Sequence, residues 1–248
     1  MRAIPDLSYG PHPLNRIDLY LPEAETAPDL FLFFHGGGFT GGTRKYEEPF
    51  YGGLVRSGIA VATADYRMYP EAAYPDFVED AALACAWLKE NIARWTPVRR
   101  FFLGGSSAGG YLTQMLCFDA EWLGKHHLKP ADFDGFFHDA GQPTTHFNVL
   151  KERGLDSRRV IVDEAAPLYY VGTDMDLPPM HVVISDDDLP GRYEQTMLML
   201  SALKDFGADP GRVTYEVRHG GHTHYCKELD ENGNSVYAQM ILRFIRRG

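Results

Sequence analysis

The sequence predicts an α/β fold, a mostly parallel sheet covered by helices on both faces. Three observations carry this. Residues 30–34 and 59–64 are short, almost uninterrupted apolar runs, as strands buried on both sides read. Phe77, Ala81, Ala84, Cys85 and Leu88 recur at helical spacing, so residues 77–95 form an amphipathic helix. Strand-like and helix-like segments then alternate to the C-terminus, the order that parallel crossovers require.

Taken in order, residues 15–21 set Ile17, Leu19 and Leu21 on one side and read as a half-buried strand. The run 30–34 ends in His35-Gly36-Gly37-Gly38-Phe39. After the helix at 77–95, the strand at 100–103 enters Gly105-Ser106-Ser107-Ala108-Gly109, and a helix-like segment follows over 110–118. Residues 133–138 read as a strand. Periodicity fails over 141–178, which holds Pro143, Pro167, Pro178 and several aromatics. So long an irregular stretch in a compact domain is usually functional, and it reads as a cap or lid. A strand at 181–185 leads into Asp186-Asp187-Asp188. The helix at 192–206 sets Met199, Leu203 and Phe206 on one face and closes at Gly207. Val213, Tyr215 and Val217 form a strand ending in His219-Gly220-Gly221-His222. Tyr237, Met240, Ile241, Phe244 and Ile245 mark a final helix. There are no repeats or linkers, so residues 1–248 are expected to form one domain.

Composition narrows the function. At 248 residues and 44% hydrophobic, the chain can bury a large core. A net charge of −10 argues against nucleic acid or an anionic membrane as partner. Cys85, Cys117 and Cys226 are too widely spaced for a disulfide framework or a C-x-x-C metal site. The N-terminus has no apolar signal-like core, and no stretch is long enough to span a bilayer. The expectation is a cytoplasmic protein acting on a small molecule.

The candidate chemistry sits just past strands, where sites form in open α/β sheets. G-x-S-x-G between a strand and a helix holds a serine on a strained turn, at a helix N-terminus that favours a developing anion. Ser107 is therefore the candidate nucleophile. It needs a histidine base and a carboxylate to orient that base, both later in the chain. The acid lies within Asp186-Asp187-Asp188. His222 is the candidate base, with His219 and His224 flanking it. The glycines after His35 let a backbone present N–H groups close to a carbonyl oxygen, so Gly37, Gly38 and Ala108 are the candidate oxyanion hole. The loop lacks the Lys-Ser/Thr ending of a phosphate-binding P-loop.

Three motifs together carry a resemblance: His35-Gly36-Gly37-Gly38-Phe39, Asp65-Tyr66-Arg67 with Pro70-Glu71, and Gly105-Ser106-Ser107-Ala108-Gly109-Gly110. From about residue 15 onward the chain resembles the α/β-hydrolase esterases of the hormone-sensitive-lipase type and their small bacterial relatives. The resemblance implies an α/β-hydrolase fold and a serine carboxylesterase with no metal or organic cofactor. It places the nucleophile at Ser107, the histidine at His222, and the acid at Asp188, three residues past Ser185. Asp186 is the competing acid, because Leu189-Pro190 stands where the family has Pro-Leu. Met68-Tyr69 replaces the family's Leu-Ala, and the N-terminal cap helices of larger members are missing. Small or aromatic acyl esters, acetyl or feruloyl as carried by plant polysaccharide, are the expected substrates, because the cap is short and Phe39, Tyr69, Phe147, Tyr169 and Tyr170 are expected around the pocket. A peptidase or amidase on the same triad and a non-catalytic binding protein are the alternatives.

Around this centre, Phe39, Tyr69, Gln142, His146, Phe147 and His224 are expected to line the substrate pocket. His35 is expected to brace the glycine loop. Asp65 and Arg67 are expected to form a structural ion-pair network. Asp230 to Asn234 reads as a surface turn rather than a calcium loop.

Overall fold

The computed structural model describes residues 1–23, 27–45, 48–173 and 176–247. Its strands are β1 (Arg2–Ser8), β2 (Arg16–Leu21), β3 (Asp29–Phe34), β4 (Ile59–Ala64), β5 (Phe101–Ser106), β6 (Gly135–Asp139), β7 (Met180–Ser185) and β8 (Val213–Arg218). They form one sheet in the order β1-β2-β4-β3-β5-β6-β7-β8. β1 and β2 pair antiparallel with their neighbours, and every pair from β4 to β8 is parallel. The helices are α1 (Glu48–Arg56), α2 (Asp76–Asn91), α3 (Ala108–Phe118), α4 (Ala120–Gly124), α5 (Phe147–Glu152), α6 (Arg192–Asp205) and α7 (Val236–Arg247).

The apolar runs do what their composition requires. In β3, Leu30, Leu32 and Phe34 enter the core under α2, α3 and α6, while Phe31 and Phe33 enter the core under α1 and α7. β4 divides likewise, with Ala60, Ala62 and Ala64 on the first side and Ile59 and Val61 on the second. A strand buried on both faces has no polar positions to alternate, which is why these runs read as continuous.

Some elements escaped the sequence pattern. β1 contains Pro5 and is largely exposed, an edge strand that shows neither alternation nor burial. α1 contains Gly52 and Gly53, which lower its helical signal. A Cβ on Gly53 would stand 3.1 Å from Ala238, so a small residue suits the packing of α1 on α7. β5 runs through Gly104 and Gly105 to Ser106, past the expected end at 103. The helix expected at 77–95 is α2 followed by a 3-10 turn at Ile92–Arg94. In α6, Met199 and Leu203 are buried, but Phe206 at its C-terminal end is exposed. Gly207 follows with φ 83°, the left-handed stop the sequence anticipated.

The irregular segment 141–178 holds α5 and a 3-10 turn at Pro167–Tyr170. Positions 174 and 175 of that segment lie outside the described residues.

Candidate active site

β5 delivers Ser107 to the top of the sheet. Its backbone sits at φ 56°, ψ −111°, outside the regions ordinary residues prefer, and α3 starts at the next residue. Surrounding contacts hold that strain. Ser107 N–H donates to Asp139 O at 2.8 Å, and Ser107 O accepts from Tyr111 N–H at 3.0 Å. The turn closes only because its neighbours lack side chains: a Cβ on Gly109 would lie 2.0 Å from Phe34 O, and one on Gly105 2.3 Å from Gly109 O.

Two loops meet Ser107. After β8, His222 brings Nε2 to 2.9 Å from Ser107 Oγ. After β7, Asp188 brings Oδ1 to 2.6 Å from His222 Nδ1. A carboxylate at Nδ1 sets the tautomer, leaving the Nε2 lone pair for the serine hydroxyl. Leu189 N–H also donates to Asp188 Oδ1, at 2.6 Å. The Asp188 side chain is fully buried, and that of His222 is 22% exposed. The two loops are joined below the pair, where Ser185 Oγ donates to Gly221 O at 2.8 Å.

The glycine loop lies beside the serine. A Cβ on Gly36 would be 3.2 Å from Ser107 Cβ. Gly37 and Gly38 have φ 115° and 62°, which glycine adopts without strain. The N–H groups of Gly37, Gly38 and Ala108 donate to no acceptor among the described residues. For Ala108 this follows from its place at a helix start. Asn148 of α5 donates to Gly38 O and ties this loop to the segment 141–178. His35 braces the loop from below: its Nδ1 bonds Gly36 O at 2.7 Å, its ring stacks on Tyr66, and its Nε2 lies 3.4 Å from Asp65. Asp65 in turn pairs with Arg44, whereas Arg67 pairs with Asp80 and Asp76. Asp65 and Arg67 thus belong to two separate ion-pair clusters.

Ser107 and His222 open onto a cleft of about 720 Å³, with the glycine loop, Phe147, Asn148, Lys151 and Leu189 among its walls. A hydroxyl and an imidazole on one cleft, with a buried carboxylate behind the imidazole and free N–H donors beside the hydroxyl, are the parts acyl transfer needs.

The sequence matches the profile of the α/β-hydrolase fold over residues 31–225. The chain belongs to the α/β-hydrolase fold family. Among curated proteins, this hydrolase-fold chain is 36% identical over 106 residues to a probable isoprenylcysteine α-carbonyl methylesterase of Oryza sativa subsp. japonica, covering 42% of this chain and 25% of that protein. It is 35% identical over 119 residues to the carboxylic ester hydrolase LipN of Mycobacterium tuberculosis, covering 46% of this chain and 31% of that one. These matches span about a quarter to a third of the relatives' length. Among solved structures, a truncated carbohydrate esterase from gut microbiota superposes with TM-score 0.79 at 18% identity, covering 100% of this chain and 96% of that one. An inhibited esterase B from Lactobacillus rhamnosis superposes with TM-score 0.77 at 19% identity, covering 99% and 87%.

Several expected pocket residues of the α/β-hydrolase-fold chain lie elsewhere. Phe39 is wholly buried, stacked on Phe77 with ring centroids 4.0 Å apart, because its positive φ turns the chain into the core. Tyr69 donates its hydroxyl to Glu152 at 2.5 Å instead of facing the cleft. Gln142 is buried, donating to Thr145 O and accepting from Arg192. His146 caps α5, its Nδ1 accepting from Asn148 N–H at 3.2 Å, and burial holds its ring neutral by pushing its pKa well down. His224 bonds Gly221 O and lies 3.4 Å from Glu228, outside the cleft lining. Of the six, Phe147 alone lines the cleft.

Sequence reasoning missed two supports and three lysines of the cleft wall. Arg192 is 3% exposed and donates to Ala140 O at 2.6 Å, bridging the loop after β6 to the start of α6 near Asp188. Burial lowers its pKa to about 10, and the neighbouring Asp188 charge opposes that. Asp139, at the end of β6, accepts from the Tyr225 hydroxyl and, at 3.5 Å, from Cys226 Sγ, so it anchors the turn that follows His222. Burial raises the Asp139 pKa. Its place at a strand end on the site edge was the available signal. Lys45, Lys151 and Lys227 on the cleft wall gave none, since single scattered lysines read as solvated surface.

Proposed function

We propose that this protein is a serine carboxylesterase. Ser107 attacks the ester carbonyl while His222 takes its proton, and Asp188 steadies the imidazolium. The oxyanion of the tetrahedral intermediate accepts from the N–H groups of Gly37, Gly38 and Ala108. His222 then protonates the leaving alcohol, and water, activated by the same imidazole, releases the acid from Ser107. The observation that carries this reading is the unbroken Ser107–His222–Asp188 chain at 2.9 and 2.6 Å beside unpaired N–H donors. The esterase names of the relatives support it.

The substrate is a small acyl ester, acetyl before feruloyl. The case for an aromatic acyl group rests on Phe147 alone, because Phe39, Tyr69, Tyr169 and Tyr170 do not line the cleft. Residues 141–178 act as a short cap on the single domain, with α5 forming one wall. The test is a panel of acetyl, butyryl, octanoyl and feruloyl esters beside an aminoacyl amide, together with fluorophosphonate labelling. Labelling at one site, lost in Ser107→Ala, and fastest turnover of the acetyl ester are expected. Fastest turnover of the octanoyl ester contradicts the chain-length assignment, and fastest turnover of the amide contradicts the reaction class.

A further inference from the structure

The cleft is electropositive in an acidic protein. The chain carries 34 acidic against 24 basic residues. Yet Lys45, Lys151 and Lys227 all line the cleft, and no carboxylate does among the described residues. They come from three separate segments: the end of the glycine loop, α5, and the turn after His222. None forms an ion pair with a described carboxylate, whereas Lys125 on the far surface pairs with Glu79 at 3.2 Å. Lys151 lies over the Phe147 ring, 5.5 Å from its centroid, which keeps the ammonium at the cleft wall. Thr40, Thr43, Asn148 and Thr223 add neutral polar groups on the same surface.

We infer that the ester this site selects carries a negative charge on its alcohol portion, a carboxylate or a phosphate. The inference rests on the serine esterase reading. The side of the ester follows from chemistry. His222 must face the leaving oxygen to protonate it, so the alcohol lies over the His222 loop, which carries Thr223 and Lys227 into the cleft. Cations lining a cleft with low-dielectric walls concentrate an anionic substrate and speed its capture. Because the three ammonium groups are exposed, their pull weakens with salt.

A matched pair tests this: 4-acetoxybenzoate and its methyl ester share the acetyl group and the aryl oxygen and differ in charge. Each kcat/KM is divided by the uncatalysed hydrolysis rate, and the ratio of the two is read at low and high salt. At low salt the wild-type ratio should favour the anion by about tenfold. It should fall towards one at about 0.5 M salt, and again in the Lys45→Ala/Lys151→Ala/Lys227→Ala variant. The ratio is internal to each preparation, so it does not depend on how much of the variant folds. 4-Acetoxyphenyl phosphate ranks the phosphate against the carboxylate, and preference for either over the methyl ester supports the inference. Equal or better use of the methyl ester by the wild type overturns it, as does a preference that survives removal of the lysines. Mono-p-nitrophenyl succinate against p-nitrophenyl butyrate places the charge on the acyl side, and a preference confined to that pair overturns the alcohol-side assignment. Absence of Ser107-dependent turnover of every ester overturns the esterase reading itself, and the inference with it.

Discussion

Two aspartate–histidine pairs bridge the ends of β7 and β8, and their geometry is nearly the same. Asp188 meets His222 Nδ1 at 2.6 Å, and Asp186 meets His219 Nδ1 at 2.8 Å. Their surroundings differ. The Asp188 and His222 side chains are 0% and 22% exposed, against 40% and 97% for Asp186 and His219. His222 turns its second nitrogen to Ser107, while the His219 ring stands in solvent. An Asp–His contact alone therefore marks nothing. Burial, and a hydroxyl on the second nitrogen, separate the proposed proton relay from a surface ion pair.

Removing the hydroxyl tests that distinction most severely. Ser107→Ala should lower kcat by a factor on the order of 10⁶, and His222→Ala by a similar factor. Initial rates on p-nitrophenyl acetate measure both. Wild-type turnover in Ser107→Ala would erase the contrast, because the buried pair would then have nothing to act on.

The two acids come next. Asp188→Asn should cost about 10⁴ in kcat, because an amide cannot hold the productive tautomer of the imidazole. Asp186→Asn should leave kcat within about twofold, as expected of an exposed pair. A reversal of these two results would mean that the loops exchange partners during turnover.

The comparison also shows how far the residues alone could speak. The continuous apolar runs and the glycine pattern around Ser107 announced the parallel sheet and the elbow, because burial on both faces and tight backbone approach permit few residue types. The acid was harder to place. Asp186 and Asp188 lie two residues apart, and which of them turns inward depends on the Ser185–Gly221 and Leu189–Asp188 hydrogen bonds, which no periodicity encodes. The pocket walls were largely illegible. Aromatic residues such as Phe39 and Tyr69 satisfy a core or a hydrogen bond as readily as a substrate, and only the path of the chain decides between these roles.

A further difference is scaffolding. The turn after His222 is anchored on the buried Asp139 through the Tyr225 hydroxyl. Tyr225→Phe leaves that carboxyl with one donor fewer and should cost about 1–3 kcal/mol of stability, read by urea unfolding. The residual activity of the folded variant should fall less steeply than in Asp188→Asn. An unchanged unfolding midpoint would show that the buried pair needs no such support.

The smallest effect is expected at the exposed pair, and its sign is fixed by charge. Asp186 holds the His219 pKa above 6.5, and His219 holds that of Asp186 below 3.8. The raised histidine contributes stability that is fully present below its unfolded pKa and is lost as pH rises through the folded one. The lowered aspartate contributes stability present above its unfolded pKa and lost as pH falls through the folded one. The pair therefore helps most between about pH 4 and pH 6.5. His219→Ala should lower the melting temperature by no more than about 2 °C at pH 5.5, where both groups are charged in both states. At pH 9, where the imidazole is neutral folded or unfolded, the difference should vanish. Turnover of p-nitrophenyl acetate should be unchanged at either pH. A melting difference that persists at pH 9 would assign His219 a packing role, and lost turnover would bring the second pair into the chemistry and dissolve the contrast.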